Sequence, residues 1–143
     1  MRNEKSMEQS IVYLSLGSNL GNRLYNLRQA CEQIEERAGH ILSVSAVHVT
    51  MPQGFESDNL FLNMCLKIRT DLTPLQLLEE TQQIERQIGR TEKSADGIYH
   101  DRVIDIDILL YGDVTIATPQ LTIPHPRMYE RDFVMQPLSE IMD

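Results

Sequence analysis

The segment 102–110 has the pattern of a buried strand, yet it carries two acids where a protein core normally has none. Side chains alternate between the two faces of a strand, so Asp105 and Asp107 are predicted to share one face with Val103 and Leu109. The opposite face is then predicted to carry Arg102, Ile104, Ile106, Ile108 and Leu110. At a rise of about 3.3 Å per residue the two acids lie roughly 6–7 Å apart at Cα.

Two interpretations of this acidic strand stay open on its sequence alone. Burying two like charges so close together is costly unless a cation lies between them or one takes up a proton. Because Mg²⁺ in proteins often uses one or two carboxylates together with substrate phosphates, the strand predicts a magnesium–phosphate site. The alternative is a strand end whose acids face water or pair with arginine.

The bulk composition limits the class of protein. The chain has 143 residues, 41% of them hydrophobic, which predicts a single domain over 1–143 with residues 1–10 flexible. A net charge of -8 argues against nucleic acid or anionic lipid as a partner. Cys31 and Cys65 form no CxxC pattern and are expected to be packed free thiols. Since no signal peptide or membrane-spanning run is visible, we expect a soluble, cytoplasmic protein.

Periodicity and turn residues predict the order β-α-β-β-α-β. Strands are expected over 11–16, 41–49, 60–68 and 102–111, and helices over 24–38 and from Pro74, after a Thr73 cap, to Gly89. A mobile loop is predicted over 90–101, and a Gly112–Asp113 hairpin turn leads into a short strand over 114–117. We therefore predict an α+β fold with a ferredoxin-like core, a mainly antiparallel sheet, helices on one face and short C-terminal helical segments.

Basic residues surround the acidic strand in sequence. They are Arg90, Arg102, His125, Arg127 and Arg131. Arginine forks suit phosphate oxygens, so the group predicts a triphosphate clamp, although some of these arginines could instead balance surface acids. His125 lies between two prolines and could be structural or a phosphate donor.

Two further segments are weaker signals. Residues 17–21 (GSNLG) superficially resemble a phosphate-binding loop, but they lack the lysine and the Ser/Thr of a Walker motif, which favours a tight strand-to-helix turn. Phe61 and Asn63 share a strand face after a Gly- and Pro-containing loop and could hold a flat heterocycle, or could simply be core plus a satisfied amide.

Together these segments resemble the 6-hydroxymethyl-7,8-dihydropterin pyrophosphokinase family, over about residues 11–138. The matching motifs are residues 16–21 (LGSNLG), 61–63 (FLN), Gln82 with 84–85 (IE), 89–90 (GR), 102–110 (RVIDIDILL), 124–125 (PH) and 131–133 (RDF). The resemblance implies transfer of pyrophosphate from ATP to the hydroxymethyl oxygen of the pterin, with release of AMP.

The resemblance also implies the residues of the site. Catalysis is expected to depend on Arg90, Arg102, Asp105 and Asp107, with two Mg²⁺ ions held by Asp105 and Asp107. ATP binding is assigned to Gln82, Glu85, Arg90, Arg102, Ile108, Thr122, His125 and Arg131. Pterin binding is assigned to Thr50, Gln53, Phe61, Asn63, Asp105 and Phe133. The expected partners are these small molecules, with no nucleic acid, no membrane and a monomeric state.

The chain departs from the family pattern in its loops. Met51 and Gln53 replace a common proline and a common apolar residue in the pterin loop. In the lid, Tyr99 stands in place of a tryptophan and Glu92, followed by Lys93, in place of an arginine.

Two other functional classes remain as alternatives. A metal-dependent phosphohydrolase could use the same acid pair, and a non-catalytic small-ligand or RNA-binding module could share the topology. An RNA-binding sheet should expose basic and aromatic residues, whereas this one carries acids.

Overall fold

The computed structural model describes residues 9–51, 59–89 and 102–142. The strands in these ranges are β1 (Ser10–Ser18), β2 (His40–Val44), β3 (His48–Thr50), β4 (Phe61–Thr70), β5 (Asp105–Tyr111), β6 (Ile116–Ala117) and β7 (Thr122–Ile123). The α-helices are α1 (Arg23–Arg37), α2 (Pro74–Ile88) and α3 (Asp132–Ser139), and a 3-10 turn covers Met128–Glu130. The fold is thus a mixture of helices and antiparallel sheet, as predicted.

The main sheet places the acidic strand at an edge. Its strands are ordered β2-β4-β1-β5, β3 also pairs with β4, and every pairing is antiparallel. Strands β6 and β7 form a separate two-stranded sheet. Because β5 pairs with β1 on one side, its other side is available to segments that approach from outside the sheet.

Local sequence signals place both long helices. Asn22 caps α1 by accepting a hydrogen bond from the Tyr25 N–H. Thr73 caps α2 in a capping box with Gln76, and the helix ends at Gly89, whose φ of 133° favours glycine. The predicted helix limits are therefore confirmed to within one residue.

The prediction that the helices lie on one face holds only for α1 and α2. These helices cover one face of the sheet over a core that includes Leu14, Ile34 and Ile84. The C-terminal helix α3 covers part of the opposite face, where Val134 and Leu138 pack with Cys65. The apolar side chains of α3 supply that face with its own hydrophobic cluster.

The single strand predicted over 41–49 is wrong, because the chain forms two strands with Ser45 between them. The Ser45 hydroxyl accepts a hydrogen bond from the Cys65 N–H at 2.9 Å and donates to the Ala46 carbonyl at 2.8 Å. A side-chain oxygen thus takes a place in the sheet that a main-chain carbonyl would otherwise hold, and the strand is interrupted.

The predicted start and alternation of the acidic strand also need correction. Strand β5 begins at Asp105 rather than at residue 102. A register shift in the β1–β5 pairing, between Tyr13 and Leu14, breaks strict alternation near Leu110. As a result Tyr111 packs in the core under α1 and α2, whereas Leu110 packs on the α3 side.

The turn at Gly112 is confirmed, but the hairpin onto the acidic strand is wrong. Gly112 has a φ of 52°, and the Val114 N–H closes the turn on the Tyr111 carbonyl at 3.0 Å. The following strand β6 pairs with β7. At the edge of β5 the Leu109 carbonyl accepts instead from the His125 N–H at 2.9 Å, so the segment after β7 occupies that edge.

Candidate functional site

The two acids of β5 face the same side of the sheet, as predicted. Asp105 lies opposite Gly17 and Asp107 opposite Ser15 of β1. Both carboxylates line a cavity of about 280 Å³. One third of the Asp105 side chain is exposed, so its carboxylate is accessible from that cavity.

The cavity also gathers most of the residues assigned to ATP by resemblance. The predicted nucleotide residues in its wall are Gln82, Glu85, Ile108, Thr122 and His125. Residues of α2 and of the segment around β7 both reach it because β5 is the edge strand. Leu78 and residues 119–121 complete this wall and were not singled out in the sequence.

Arg102 contacts Asp105, although strict alternation placed them on opposite faces. Its Nη1 lies 3.4 Å from the Asp105 Oδ1, and the residue is only 8% exposed. The contact is possible because Arg102 precedes the strand and does not follow its alternation. Pairing of an acid with arginine, one of the two open interpretations, is thus observed at Asp105.

Glu85 supports the edge of the acidic strand. It is 3% exposed, and its Oε2 accepts a hydrogen bond from the Ile106 N–H at 2.7 Å. Ile106 lies between the two aspartates, so this bond fixes the backbone that carries them. At least one oxygen of Glu85 therefore has a structural role beside the predicted contact with the nucleotide.

His125 is held rigidly next to the cavity. Burial lowers its pKa first of all, and the positive charges of Arg131 and Arg127 lower it further, whereas Asp105 acts in the opposite direction. The imidazole is consequently neutral at pH 7, with one nitrogen as donor and the other as acceptor. These charges also place the predicted phosphate residue Arg131 in the electrostatic neighbourhood of His125.

Four of the residues assigned to the pterin, Thr50, Phe61, Asn63 and Asp105, form a group on the same face of the sheet. The Asn63 Nδ2 donates to the Thr50 Oγ1 at 2.5 Å, and Thr50 lies opposite Phe61 in the β3–β4 pairing. Asn63 is 4% exposed and lies opposite Gly17, which in turn lies opposite Asp105. Gly17 is therefore the one residue that lies between Asn63 and Asp105 across the three neighbouring strands.

Gly17 leaves the space that this group needs. A Cβ at this position would lie 2.8 Å from the Asn63 Oδ1 and 3.6 Å from the Phe61 Cδ1. Contacts as short as the first are not tolerated without movement of the amide. The first glycine of the GSNLG turn therefore has a packing reason that its sequence pattern did not reveal.

Phe133, the second predicted aromatic partner of the pterin, lies on α3. It packs against the hydrophobic cluster between α3 and the sheet. The Arg131 guanidinium carbon lies 5.6 Å from the centre of its ring, within the range of a cation–π contact. Arg131 and Phe133 are thus brought together by one helix terminus.

Several predicted features lie outside the described residues. They are Arg90 and Gln53, the lid predicted over 90–101 with Glu92, Lys93 and Tyr99, and residues 1–8 of the segment 1–10 that was predicted to be flexible. The end of that prediction is wrong, because Ser10 is the first residue of β1. Met51 is described and is 67% exposed. The two cysteines are confirmed as free thiols, with Cys65 buried and Cys31 partly buried.

Sequence reasoning missed Asn19 as a residue of the site. Its side chain accepts from the Arg102 N–H at 2.6 Å and so fixes the entry to the acidic strand. The signal was present, because an asparagine in a Gly-rich turn often bonds to nearby backbone. What the sequence did not show is that its partner lies 83 positions away.

The described residues contain no group of three or more His, Cys, Asp or Glu side chains that could enclose a metal ion by themselves. Two carboxylates on one face, open to a cavity, nevertheless suit a cation that completes its shell with water and phosphate oxygens, as Mg²⁺ does. No helix in 9–51, 59–89 and 102–142 is long and apolar enough to cross a membrane.

Comparisons with known proteins identify the family that this chain resembles. The model of the 7,8-dihydro-6-hydroxymethylpterin-pyrophosphokinase (HPPK) family matches residues 13–143. The 2-amino-4-hydroxy-6-hydroxymethyldihydropteridine pyrophosphokinase of Porphyromonas gingivalis is 50% identical over 133 residues, 92% of this chain and 90% of that protein. The Bacillus subtilis protein of the same name is 47% identical, covering 92% and 78%.

Solved structures share the fold. A crystal structure of Plasmodium falciparum HPPK-DHPS superposes with a TM-score of 0.76 at 17% identity, covering 94% of this chain and 40% of that one. An HPPK-DHPS in complex with substrates gives a TM-score of 0.74 at 17% identity, covering 93% and 40%. This chain therefore corresponds to about two fifths of these longer proteins.

Proposed function

The chain belongs to the 7,8-dihydro-6-hydroxymethylpterin-pyrophosphokinase family, and from this we propose that the cavity at Asp105 and Asp107 is its catalytic site. The protein is an ATP-dependent diphosphotransferase of folate biosynthesis. It transfers pyrophosphate from ATP to the hydroxymethyl group of 6-hydroxymethyl-7,8-dihydropterin, which gives AMP and the pterin diphosphate. The observation that supports the location most strongly is the meeting of both acids with five predicted nucleotide residues in one cavity.

The donor set of the cavity fits magnesium. We propose that Asp105 and Asp107 hold two Mg²⁺ ions together with the phosphates of ATP. When bound, Mg²⁺ neutralises phosphate charge and polarises the phosphoryl oxygens. Asp105 and Asp107 would supply the carboxylate ligands, and the Arg102 guanidinium beside Asp105 would be close enough to bind a phosphate oxygen.

The basic residues around the cavity bind and orient the triphosphate in this proposal. Arg102, Arg131 and Arg90 supply guanidinium donors, and the neutral His125 donates one ring N–H. Gln82, Ile108 and Thr122 line the part of the cavity that receives the nucleoside. Glu85 contributes mainly indirectly, because its carboxylate accepts the hydrogen bond from the Ile106 N–H and so positions the backbone between the two aspartates.

The pterin is proposed to lie between Phe61 and Phe133. In this proposal the Asn63 amide and Thr50 bind its hydrogen-bonding edge, Gln53 is a further pterin residue, and Asp105 faces its hydroxymethyl end. Such flat stacking fixes the hydroxymethyl oxygen relative to the β-phosphorus, which is the main catalytic contribution in reactions of this class.

The transfer step then needs little covalent chemistry from the protein. The hydroxymethyl oxygen bonds to the β-phosphorus while the bond from that phosphorus to the α–β bridging oxygen breaks, and AMP leaves with that oxygen. Asp107 is proposed to assist the loss of the hydroxymethyl proton, which passes to solvent, and the arginines stabilise the charge on the phosphates.

The remaining features of the proposal concern the whole protein. We propose a single ferredoxin-like domain over 1–143, supported by the sheet order β2-β4-β1-β5 with α1 and α2 on one face. We also propose a soluble, monomeric, cytoplasmic enzyme that binds neither nucleic acid nor membrane, which is consistent with the net charge of -8.

The direct test is a product assay with purified protein, ATP and Mg²⁺, with and without 6-hydroxymethyl-7,8-dihydropterin. We expect AMP and pterin diphosphate in equal amounts, formed only when the pterin is present. Phosphate release from ATP that does not depend on the pterin would instead indicate the phosphohydrolase.

A further inference from the structure

The C-terminal end of α3 is tied to the connection between β2 and β3 by one carboxylate. The Glu140 Oε1 accepts a hydrogen bond from the Ala46 N–H at 2.8 Å, and its Oε2 lies 2.7 Å from the His48 Nε2. Both oxygens of the side chain are thus used to join segments more than 90 positions apart in sequence. We call these three residues, Glu140, Ala46 and His48, the Glu140 clamp.

The clamp acts on the short strand that carries Thr50. Strand β3 has three residues and, within the described ranges, pairs with β4. A strand this short has few hydrogen bonds of its own to fix its position. Because His48 lies opposite Asn63 and Thr50 opposite Phe61, any movement of β3 shifts the Thr50 hydroxyl relative to the Asn63 amide.

Helix α3 also carries Phe133, which forms one side of the proposed pterin site. We call the space between Phe133 and the opposite wall of this site the pterin slot. Phe133 lies in the first turn of α3 and Glu140 directly follows the last, about 10 Å further along the axis at 1.5 Å per residue. Fixing the end of so short a rigid helix on β3 therefore also fixes the distance between Phe133 and the wall formed by Thr50, Phe61 and Asn63.

Glu140 stays ionised at neutral pH. The hydrogen bond from the Ala46 N–H lowers its pKa most, and the hydrogen bond with His48 lowers it further. The pair is partly exposed, with 25% of the His48 side chain and 38% of the Glu140 side chain accessible. Its contribution to the free energy of folding is consequently small.

We infer that Glu140 is a positioning residue for the pterin, one that sets the width of the slot between α3 and β3 without contacting either substrate. The inference rests on the proposed pterin site. It predicts that loss of the clamp weakens use of the pterin, whereas ATP binding at the β5 edge is left intact.

A matched control exists in the same chain. The Glu35 Oε1 accepts from the Ile41 N–H at 3.0 Å, and its Oε2 lies 2.9 Å from the His40 Nδ1. This carboxylate therefore makes the same two kinds of contact, one backbone and one histidine, but between α1 and β2. Neither element carries a residue that is assigned to the pterin.

The experiment compares Glu140→Ala with Glu35→Ala in steady-state assays that vary each substrate in turn. For Glu140→Ala we expect the KM for the pterin to rise about 10-fold or more, because a widened slot loses part of its contact with the ring. The KM for ATP should stay within about twofold of wild type, whereas kcat should fall because the hydroxymethyl oxygen is misplaced relative to the β-phosphorus. Glu35→Ala should leave the KM for the pterin, the KM for ATP and kcat unchanged. It should lower the unfolding midpoint by about as much as Glu140→Ala does.

Two further variants make the test decisive if Glu140→Ala does not fold. Glu140→Gln retains an acceptor for the Ala46 N–H and should recover most of the pterin KM, and His48→Ala should reproduce part of the loss. Equal effects of the Glu140 and Glu35 variants, or equal increases in both KM values, would overturn the inference. A wild-type protein that forms no pterin diphosphate would overturn the proposed function itself.

Discussion

Asn19 and Arg102 form a reciprocal pair of hydrogen bonds between two loops. The Arg102 N–H donates to the Asn19 Oδ1 at 2.6 Å, and the Asn19 N–H donates to the Arg102 carbonyl at 2.9 Å. The Asn19 Nδ2 also donates to the Asn59 carbonyl at 3.2 Å. Since Asn19 is only 2% exposed, these bonds hold the backbone of Arg102, three residues before the acidic strand, in a site that excludes water.

Replacing Asn19 by alanine tests this relationship. The substitution leaves the Arg102 N–H buried without its acceptor, which should cost about 1–3 kcal/mol in the free energy of unfolding. Because Arg102 contacts Asp105, kcat should fall as well. Urea unfolding and steady-state kinetics measure the two effects. Asn26→Ala removes bonds within the same turn and should lower stability without a comparable loss of kcat.

A second prediction concerns the support that the Glu85 side chain gives to strand β5. Glu85→Ala removes the acceptor of the buried Ile106 N–H and should destabilise the protein by about 1–3 kcal/mol. Glu85→Gln keeps an acceptor oxygen at that place and should cost less. Thermal unfolding compares the two variants. If alanine and glutamine lower the midpoint equally, the bond to Ile106 does not support the strand.

A third prediction concerns the space that Gly17 leaves beside the Asn63 amide. In Gly17→Ala the new Cβ would approach the Asn63 Oδ1 to 2.8 Å, so the amide must move and the KM for the pterin should rise. Gly112→Ala is the control, since its Cβ meets nothing within 4 Å and its cost comes from the φ of 52° alone. That control should lower stability slightly and leave the KM unchanged. An unaltered KM in Gly17→Ala would show that the amide has no part in binding the pterin.

The two cysteines give a fourth prediction, on pH dependence. Burial raises the pKa of Cys31 to about 11 and that of Cys65 to about 12 from the ordinary value of 9.0. Both thiols are therefore protonated at pH 8 and should react slowly with a disulfide reagent until the protein is unfolded. The unfolded chain loses these protons near pH 9 and the folded one does not, so stability should fall as the pH rises above 9. Rapid modification of both thiols in the native protein would contradict the burial.

The features of the structure that the sequence predicted correctly each depend on a local pattern of residues. Period-2 alternation placed Asp105 and Asp107 on one face, and the Thr73 cap marked the start of α2. The predictions that were wrong concern contacts between segments that are distant in sequence. Ser45 breaks a strand by bonding across to β4, and His125 occupies the edge that a hairpin was expected to fill. The partners are 20 positions apart for Ser45 and Cys65 and 16 for His125 and Leu109, so the periodicity of a local segment does not predict these contacts.

The most direct test of the account is the pyrophosphoryl transfer rate of Asp107→Ala in the presence of Mg²⁺. Asp107 lines the cavity, and its strand pairs with β1 through main-chain hydrogen bonds, so the fold should be retained, as circular dichroism would show. Asp113→Ala, a change in the nearby turn, is the control and should be fully active. We predict that Asp107→Ala loses AMP formation by several orders of magnitude while Asp113→Ala matches wild type. Near-normal AMP formation by folded Asp107→Ala would contradict the central claim that the paired aspartates bring the nucleotide to the sheet.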